Sequence, residues 1–414
     1  MQHAMGDLAK AARLLGQARS AVLSGPRRQQ LLVASVAARI SAVGLDEAAL
    51  LRARIGDSPR DSDALAQLGA LAERNGQPRE AAALYLRAAS ATSTYFPALH
   101  ALARLLSREG RAGAALRLSR RVLALAPSGW AYRSLGALEE TTGDLVAARR
   151  AYLRGQEADG DESLAQLRVA WTWMKQGDLP QAWACAGRSL AHARGTQGKV
   201  RARLVMAEAC RLKQDWPRLM SIGDELRRTP GAGVEVAMLQ RGLALVGMRR
   251  LPEAKDLLSR ARDVLRRRTR VVGNWMPELR DLAAEVSAES GDLPAACREA
   301  RTAIELAAAR GGEVGEGRHP LTYYHRRLGD FLRRRGQLGE AMHWYARCLT
   351  QDPGDGLALF GTAIVMEKRG DRAGALQRYQ RFTHLWARAP STVPEVRCAR
   401  AKLAEVTAAK GRSR

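Results

Sequence analysis

The residues that decide the fold are LGDFLRRRGQLGEAMHWYARCLTQDP, which occupy positions 328–353. In this stretch a glycine precedes an alanine by twelve residues, an aromatic residue follows four positions later, and a small residue follows three positions after that. The residues concerned are Gly329, Ala341, Tyr345 and Cys348, and Pro353 closes the stretch. Small residues at such intervals suit two helices packed side by side, because they let the helix axes approach closely.

The same spacing recurs with a period of about 34 residues, most clearly in residues 68–88 and 135–152. With the glycine or alanine of each unit taken as a marker, nine units follow one another at intervals of 33 to 45 residues. The markers are Gly69, Ala103, Gly136, Ala170, Ala207, Gly242, Ala284, Gly329 and Ala363. An alanine stands twelve residues after eight of these nine markers. A fixed period of this length is the signature of a stacked repeat protein.

A glycine with polar neighbours lies between the two small residues of most units. These glycines are Gly76, Gly110, Gly143, Gly177, Gly291, Gly336 and Gly370. Glycine at such a place ends a helix in the left-handed conformation, and the residues after it start the next helix. Each unit is therefore predicted to be a helix, a tight turn and an antiparallel second helix. One such hairpin cannot bury its apolar face alone, so neighbouring hairpins are expected to stack.

The units resemble tetratricopeptide repeats, which favour a bulky residue, Leu-Gly, a second bulky residue, Ala, an aromatic residue, Ala and then Pro. Pro127 and Pro353 occupy the terminal proline position of their units. The resemblance covers about residues 62–390 and is to multi-repeat arrays of the bacterial type. It implies an all-α fold, a right-handed α-solenoid superhelix of stacked antiparallel helix pairs. It also implies that the first helices line a concave groove, which usually takes a peptide or a helix.

The register of the units predicts the domain organisation. We expect N-terminal helices with a degenerate repeat in residues 1–61, nine tetratricopeptide-like repeats in 62–390, a C-terminal capping helix in 391–409 and a basic disordered tail in 410–414. The repeats near 235–276 and 277–321 are lengthened. The repeat at 200–230 lacks the glycine turn, so a local change in the pitch of the superhelix is expected there.

Composition narrows the class of protein further. The chain has 414 residues and a formal net charge of +25, with 59 arginines and 8 lysines. Its five cysteines lie far apart without metal-ligand spacing, so each is expected to be a buried structural thiol in a reducing cytosol. No segment approaches the roughly 20 apolar residues that span a bilayer, and the N-terminus lacks the apolar region of a secretory signal. The expected localisation is cytoplasmic.

No motif in the sequence predicts catalysis, a cofactor or a metal ion. Gly312, Gly315 and Gly317 superficially match a phosphate-binding loop, but they follow a predicted helix and not a strand. The seven histidines are scattered along the chain. We therefore expect a protein that is not an enzyme and that has no cofactor and no metal site.

A group of carboxylates lines one face of the first helix of the seventh unit, because its members are spaced by three or four residues. They are Glu278, Asp281, Glu285 and Glu289. The next unit places Arg326, Arg333 and Arg334 at equivalent positions. Acidic and basic stripes on adjacent helices are expected to neutralise each other, so we interpret this group as structural and not catalytic.

Helical phase predicts which residues face the concave groove. In units two to four these are His100, Arg104, Arg108, Trp130, Arg133, Arg168, Trp171 and Lys175. A second patch contains Tyr323, Arg326, Arg333 and Phe360. Exposed tryptophan and arginine are favoured in binding hot spots, and an acidic or C-terminal carboxylate peptide would suit them. The alternative for Trp130 and Trp171 is that they pack between repeats.

Three functions of different classes remain open from the sequence. The favoured one is a non-catalytic scaffold or adaptor that binds a protein or peptide partner. The second is an arginine-rich solenoid that engages nucleic acid or another polyanion through runs such as Arg266–Arg270, Arg333–Arg335 and Arg249–Arg250, with salt-dependent binding. The third is a regulatory or catalytic subunit with an unrecognised site. The sequence leaves the oligomeric state undetermined.

Overall fold

The computed structural model describes residues 47–267, 275–309 and 319–412, and for Arg108 and for residues 265–267 and 406–412 it describes the backbone alone. These ranges contain twenty α-helices and no strand. The predicted all-α solenoid is thereby confirmed. The chain forms two compact units that divide after Pro127. No described helix is both long enough and apolar enough to cross a membrane.

Unit 1 contributes five described helices. They are α1 (Glu47–Asp57), α2 (Ser62–Arg74), α3 (Pro78–Ala91), α4 (Phe96–Arg108) and α5 (Ala112–Leu125). Helices α2 and α3 form one antiparallel pair and α4 and α5 the next. Helix α1 is joined to the start of α2 by Arg54, which is buried and donates to Asp61 at 2.9 Å. Residues 1–46, which include most of the predicted degenerate repeat, lie outside the described ranges.

Unit 2 contains the remaining described helices. They are α6 (Gly129–Thr142), α7 (Leu145–Asp159), α8 (Glu162–Lys175), α9 (Leu179–His192), α10 (Thr196–Lys213), α11 (Trp216–Arg228), α12 (Val234–Gly247), α13 (Leu251–Arg267), α14 (Met276–Glu289), α15 (Leu293–Ala309), α16 (Leu321–Arg334), α17 (Leu338–Gln351), α18 (Gly356–Lys368), α19 (Arg372–Leu385) and α20 (Pro394–Arg412). Each even-numbered helix from α6 to α18 packs against the odd-numbered helix that follows it. We call these the first and second helices of a pair. Helix α20 extends beyond its predicted end at 409.

The turn between the two helices of a pair has the predicted left-handed backbone. All seven glycines predicted for this role have positive φ, from 69° at Gly177 to 88° at Gly143 and Gly291. In the two pairs without such a glycine, Gln214 (φ 58°) and Arg249 (φ 61°) take its place. Residues other than glycine are strained in this conformation, so these two turns carry a cost that glycine avoids. The insert residues 268–274 and 310–318 lie outside the described ranges.

A glycine–tyrosine contact holds the helices of several pairs together. Gly136 of α6 faces the ring of Tyr152 on α7, and a Cβ at Gly136 would lie 2.8 Å from a ring carbon. The hydroxyl of Tyr152 donates to Glu140, one turn after the glycine, at 2.8 Å. Tyr85 likewise lies against Gly69 and donates to Glu73, and Tyr379 makes the same hydrogen bond to Glu367 in a pair whose marker residue is Ala363 and not glycine. The tyrosine therefore both fills the space beside the small residue and connects the two helices by a hydrogen bond.

The cysteines are placed as predicted in four of five cases. Cys185, Cys210, Cys297 and Cys348 are buried, Cys398 is half-buried, and all five are free thiols. Burial raises the pKa of Cys210 to about 11. These thiols thus pack as small apolar residues, in agreement with the sequence analysis.

Unit 2 closes on itself through contacts between residues far apart in the chain. The indole Nε1–H of Trp386, just after α19, donates to the carbonyl oxygen of Lys175 at 2.9 Å. Lys175 Nζ lies 2.9 Å from Asp352 Oδ2. A Cβ on Gly177 would lie 2.6 Å from Trp386 and 2.9 Å from Ala389, so the turn after α8 fits directly against this segment. We call these five residues the closing contact.

Candidate functional site

The first helices of unit 2 surround a cavity of about 440 Å³, which we call the central cavity. Five of the residues predicted for the concave groove line it, and they come from two first helices that are far apart in the chain. They are Arg168, Trp171 and Lys175 on α8 and Tyr323 and Arg326 on α16. The volume lies in the range of typical ligand sites, about 300–1,000 Å³. The fold thus brings together side chains that the sequence assigned to two separate patches.

Much of the cavity wall is apolar. Helix α8 contributes Leu164, Leu167 and Met174, helix α10 contributes Leu212, and Leu357 lies at the start of α18. Trp171 is half-buried and packs against the same core cluster as these residues while also facing the cavity. Both alternatives for Trp171 therefore hold, because the side chain packs against core residues and also lines the cavity.

Lys175 is the cation of the closing contact, and its ammonium group is shared by two carboxylates. Its ammonium lies 3.2 Å from Glu140 and 2.9 Å from Asp352. Burial by itself would lower the pKa of Lys175, but attraction to Glu140 and Asp352 outweighs burial and raises it. Lys175 is therefore charged at neutral pH and already paired, so its charge is largely committed to holding the helices together.

Arg168 is a cation of the cavity wall that can still bind a ligand. It lies on α8, is partly exposed, and forms no ion pair within the described part of the chain. The guanidinium group has five N–H donors and no acceptor, and it suits a carboxylate or phosphate. Arg168 can therefore donate to an anionic group of a molecule in the cavity without breaking an existing ion pair.

Arg326 is buried on α16, and its contacts with the nearby carboxylates are long. Its guanidinium lies 3.5 Å from Asp330 and 3.6 Å from Asp355, and its Nε has no hydrogen-bond partner in the described ranges. Burial by itself would lower the pKa of Arg326, but Asp355 and Asp330 outweigh it and raise the pKa. Burial raises the pKa of Asp355 more than Arg326 lowers it. Arg326 is thus a second cation with unused donor capacity.

An aromatic stack forms one wall of the cavity. The ring of His319 lies parallel to that of Tyr323, with centroids 3.7 Å apart and an interplanar angle of 8°. Burial lowers the pKa of His319 to about 4, so the imidazole is neutral at physiological pH. The hydroxyl of Tyr323 donates to Asp281 Oδ2 at 2.7 Å. The stack therefore presents a flat, uncharged face.

Acidic and basic stripes on adjacent first helices neutralise each other, as the sequence predicts, but of the three predicted arginines only Arg334 takes part, together with Arg327. Arg327 pairs with Asp281 at 3.1 Å and also with Glu285. Arg334 pairs with Glu289 at 2.9 Å. Arg326, expected in this role, points to Asp330 and Asp355 instead because it lies on a neighbouring face of α16.

Glu208 and Arg211 on α10 form a buried ion pair beside the cavity. Two bonds join them, at 2.8 and 2.5 Å. Burial would raise the pKa of Glu208, but the attraction of Arg211 and its hydrogen bonds outweigh burial and lower the pKa to about 2. Both side chains are therefore ionised, and their opposite charges offset the cost of removing them from water.

The other residues predicted for the groove lie away from the central cavity. In unit 1, Arg104 pairs with Glu73 at 2.8 Å, and burial lowers the pKa of the neighbouring His100 to about 4. The side chain of Arg108 lies outside the described residues. In unit 2, Arg133 pairs with Asp159, and Trp130 is 39% exposed.

Two members of the second predicted patch are also placed differently. Arg333 donates to the hydroxyl of Tyr345 at 3.3 Å. Phe360 is buried in the apolar core against Phe382 and Tyr379, with ring centroids 5.4 and 5.9 Å away. Phe360 therefore belongs to the packing between helices and not to a binding surface.

Several residues of the cavity wall are not predicted by helical phase. Asp352, Asp355 and Trp386 lie in connections between helix pairs or just after a helix, where helical phase makes no prediction. Glu208 lies on the pair whose register departs from the repeat. Of these residues, only Asp355 could have been placed from the sequence, because aspartate is typical of the N-cap of a helix. In the structure it caps α18, and its side chain accepts a hydrogen bond from Ala358 N at 2.8 Å.

The cavity does not share the strong positive charge of the chain. Among the described residues, four cations and four carboxylates line it. They are Arg168, Lys175, Arg201 and Arg326, and Glu140, Glu208, Asp352 and Asp355. The positive charge of the chain is therefore carried elsewhere. In the described ranges, no group of three or more His, Cys, Asp or Glu side chains is placed to hold a metal ion.

The fold and the cavity define a class of protein: an all-α solenoid whose helix pairs fit tetratricopeptide-like repeats and whose first helices enclose a ligand-sized cavity. A comparison with solved structures finds similarity to the crystal structure of yeast Tom70. That match covers 92% of this chain and 96% of that chain, with 12% sequence identity and a TM-score of 0.38. No family model matches the chain, and no curated protein matches it.

Proposed function

We propose that the protein is a non-catalytic interaction scaffold or adaptor that binds a segment of a partner protein in the central cavity of unit 2. The observation that carries the proposal is the convergence of Arg168, Trp171, Lys175, Tyr323 and Arg326 on one cavity. Tryptophan, tyrosine and arginine are the residues most enriched in binding hot spots. An apolar wall with a few convergent polar groups is typical of ligand sites.

The size and lining of the central cavity suit a short segment of a partner protein. Its volume of about 440 Å³ lies in the range of typical ligand sites. One apolar or aromatic side chain of the segment packs against Trp171.

The charge balance of the cavity sets the expected chemistry of the segment. Because cations and carboxylates are equal in number on its wall, a highly acidic peptide would meet repulsion from Glu208, Asp352 and Asp355. A single carboxylate near Arg168 avoids this repulsion and gains a charge-assisted hydrogen bond. The proposed partner is therefore a mainly apolar segment with one carboxylate, from a side chain or from a chain terminus.

Engagement of nucleic acid is the alternative function, and the ion pairs count against it. Arg249 and Arg334 both pair with Glu289, and Arg250 pairs with Glu253. Binding a polyanion would have to break or compete with these pairs before counterion release could supply affinity. Of the run Arg266–Arg270, residues 268–270 and the side chains of the other two lie outside the described residues.

The test uses peptides selected against the protein from a random-peptide display library, with the Kd measured by fluorescence anisotropy. We expect Arg168→Glu and Trp171→Ala each to weaken the Kd at least about tenfold, the equivalent of about 1.4 kcal/mol. Arg150→Glu is the matched control, because Arg150 is an exposed arginine on the second helix α7 that forms no ion pair with any described residue. Circular dichroism checks that all three variants fold.

Two results would contradict the proposal. Selected peptides that bind the Arg168→Glu, Trp171→Ala double variant as tightly as the parent would place the site elsewhere. The second result comes from a pull-down with and without nuclease at two salt concentrations. If nuclease treatment removes every partner, the polyanion function is supported instead.

A further inference from the structure

A second cavity lies among the last helix pairs of unit 2. It measures about 320 Å³ and lies between the second helices α17 and α19, against α18, and we call it the outer groove. Its main apolar residues are Met342 and Leu349 on α17 and Leu359 and Met366 on α18. Leu359 is buried, whereas the other three side chains are half-buried. The outer groove therefore presents apolar surface that a second molecule can reach.

Helix α18 separates the outer groove from the central cavity. Leu357 lines the central cavity, whereas Leu359, Thr362 and Met366 line the outer groove. Because a turn of α-helix takes 3.6 residues, these three residues lie about 200°, 140° and 180° around the axis from Leu357. No described residue lines both cavities. The two cavities thus lie on opposite sides of this helix, and a molecule in one leaves the other free.

The charged residues of the outer groove are all positive in the part of the chain that the structure describes. Arg378 and Arg381 on α19 line it, and no carboxylate does. Neither arginine forms an ion pair with a described residue, and Arg381 donates to the carbonyl oxygen of Pro353 at 3.4 Å. Residues three apart lie on one side of a helix, so both guanidinium groups border the groove together. In the central cavity, by contrast, the described cations and carboxylates are equal in number.

We propose that the outer groove is a second docking site, which binds a segment of a partner protein that has an apolar side chain flanked by carboxylates. The apolar side chain lies against Met342, Leu349 and Met366, and the carboxylates accept hydrogen bonds from Arg378 and Arg381. Methionine suits such a surface, because its flexible side chain adapts to the shape of a partner. Bonds from arginine to a carboxylate are charge-assisted and add geometric specificity to the apolar contact.

A second docking site extends what the protein can do as a scaffold. An adaptor that brings two proteins together needs two sites that can be filled independently. The outer groove and the central cavity meet this requirement, because they lie on opposite sides of α18. This consequence rests on the proposed function of the central cavity, whereas docking in the outer groove does not.

The experiment selects peptides in a protein whose central cavity is disabled. Random-peptide display is carried out on the Arg168→Glu, Trp171→Ala variant, and the Kd of each selected peptide is measured by fluorescence anisotropy. We expect the tightest peptides to combine an apolar residue with Asp or Glu on either side of it. Adding Arg378→Glu and Arg381→Glu should weaken their Kd at least about tenfold.

Two further variants distinguish docking in the groove from general electrostatic attraction. Arg117→Glu with Arg120→Glu makes the same change in net charge and should leave the Kd unchanged. Both residues are exposed arginines on the second helix α5, and neither forms an ion pair with a described residue. Ala346→Trp keeps both groove arginines but places a ring in the groove, because Ala346 is an exposed residue of α17 that lines it. This variant should weaken the Kd as strongly, and circular dichroism checks that every variant folds.

The outcomes separate the outer groove from the proposed function. Equal weakening by the two pairs of arginine variants, an unchanged Kd in Ala346→Trp, or peptides that still bind with their carboxylates replaced by amides would each overturn docking in the outer groove. A change of mass in sedimentation on introducing Arg378→Glu and Arg381→Glu would assign the groove to a second copy of this chain instead. Failure of the proposed function would appear only for peptides selected on the parent, and it would leave the Kd values of the outer groove unaffected.

Discussion

His325 is fully buried on α16, and neither ring nitrogen has a hydrogen-bond partner in the part of the chain that the structure describes. Its ring lies 5.3 Å from that of Trp344 on α17, between centroids. Burial, with repulsion from Arg347 and His343, lowers its pKa to about 4. The folded protein therefore holds this imidazole neutral under conditions in which the unfolded chain protonates it.

The lowered pKa of His325 predicts that unit 2 already loses stability in mild acid, at a pH above that at which carboxylates become protonated. His325 contributes its full stability above the unfolded pKa of 6.5, and this contribution is lost as pH falls from 6.5 toward about 4. At pH 5 the loss is about 2 kcal/mol. We expect His325→Phe to reduce the fall in unfolding free energy between pH 8 and pH 5 by about that amount, measured by urea denaturation.

The control for this prediction is His343→Phe, because His343 is exposed and lies near the same site. That variant should retain the acid sensitivity of the parent. An equal response of His325→Phe and the parent to pH would mean that the buried imidazole is not the group that titrates. Some acid sensitivity will remain in any case, since burial also lowers the pKa of His100 and of His319 to about 4.

At the scale of the helices, the contact between the two members of a pair depends on the absence of a side chain. Gly136 of α6 lies against the ring of Tyr152 on α7, which is fully buried and cannot move aside. Gly136→Ala should destabilise unit 2 by about 1–3 kcal/mol, because overpacking forces the helices apart. Gly187→Ala on α9 is the matched control, since its Cβ would meet nothing closer than 3.8 Å.

The control variant, Gly187→Ala, should be more stable than the parent and not less stable. Gly187 lies inside a helix, where alanine is more stable than glycine by about 0.5–1 kcal/mol. Thermal unfolding followed by circular dichroism measures both variants. A Gly136→Ala protein that melts at or above the parent's Tm would show that Tyr152 does not limit the approach of the two helices.

The helices themselves could be predicted from the sequence because their signals are local. The left-handed glycines and the helix pairs follow from residues within one period of each other. The bond from Tyr152 to Glu140 could have been predicted in the same way, since the two are twelve residues apart and recur at the same spacing in other pairs. Of the residues in the cavity wall, only those at the regular groove-facing positions of the first helices could be predicted.

At the scale of unit 2, the closing contact predicts a response to truncation that an open array would not show. In an open stack each repeat contacts its neighbours alone, so a C-terminal deletion affects the last pair. Deletion after Leu385 removes Trp386 and Ala389 and should also increase hydrogen exchange in residues 173–180, the turn after α8. Helix α12 lies outside the closing contact and serves as the internal reference.

Hydrogen exchange followed by mass spectrometry distinguishes the two possibilities. Faster exchange at 173–180 with unchanged exchange in α12 supports a closed unit. Faster exchange limited to α18 and α19 would mean that the contact of Trp386 with Lys175 contributes nothing to the stability of the earlier repeats.

The sequence by itself determined the repeat, the helix pairs, the turn glycines and the burial of the thiols, because each depends on spacing within one or two units. The tertiary structure alone decided that unit 2 closes at Lys175 and Trp386 and that Arg168 and Arg326 face one cavity. The physical reason is that the curvature of a solenoid is the sum of the small rotations between successive repeats. Small changes in these rotations, at the irregular pairs and the lengthened units, therefore decide which distant residues come into contact.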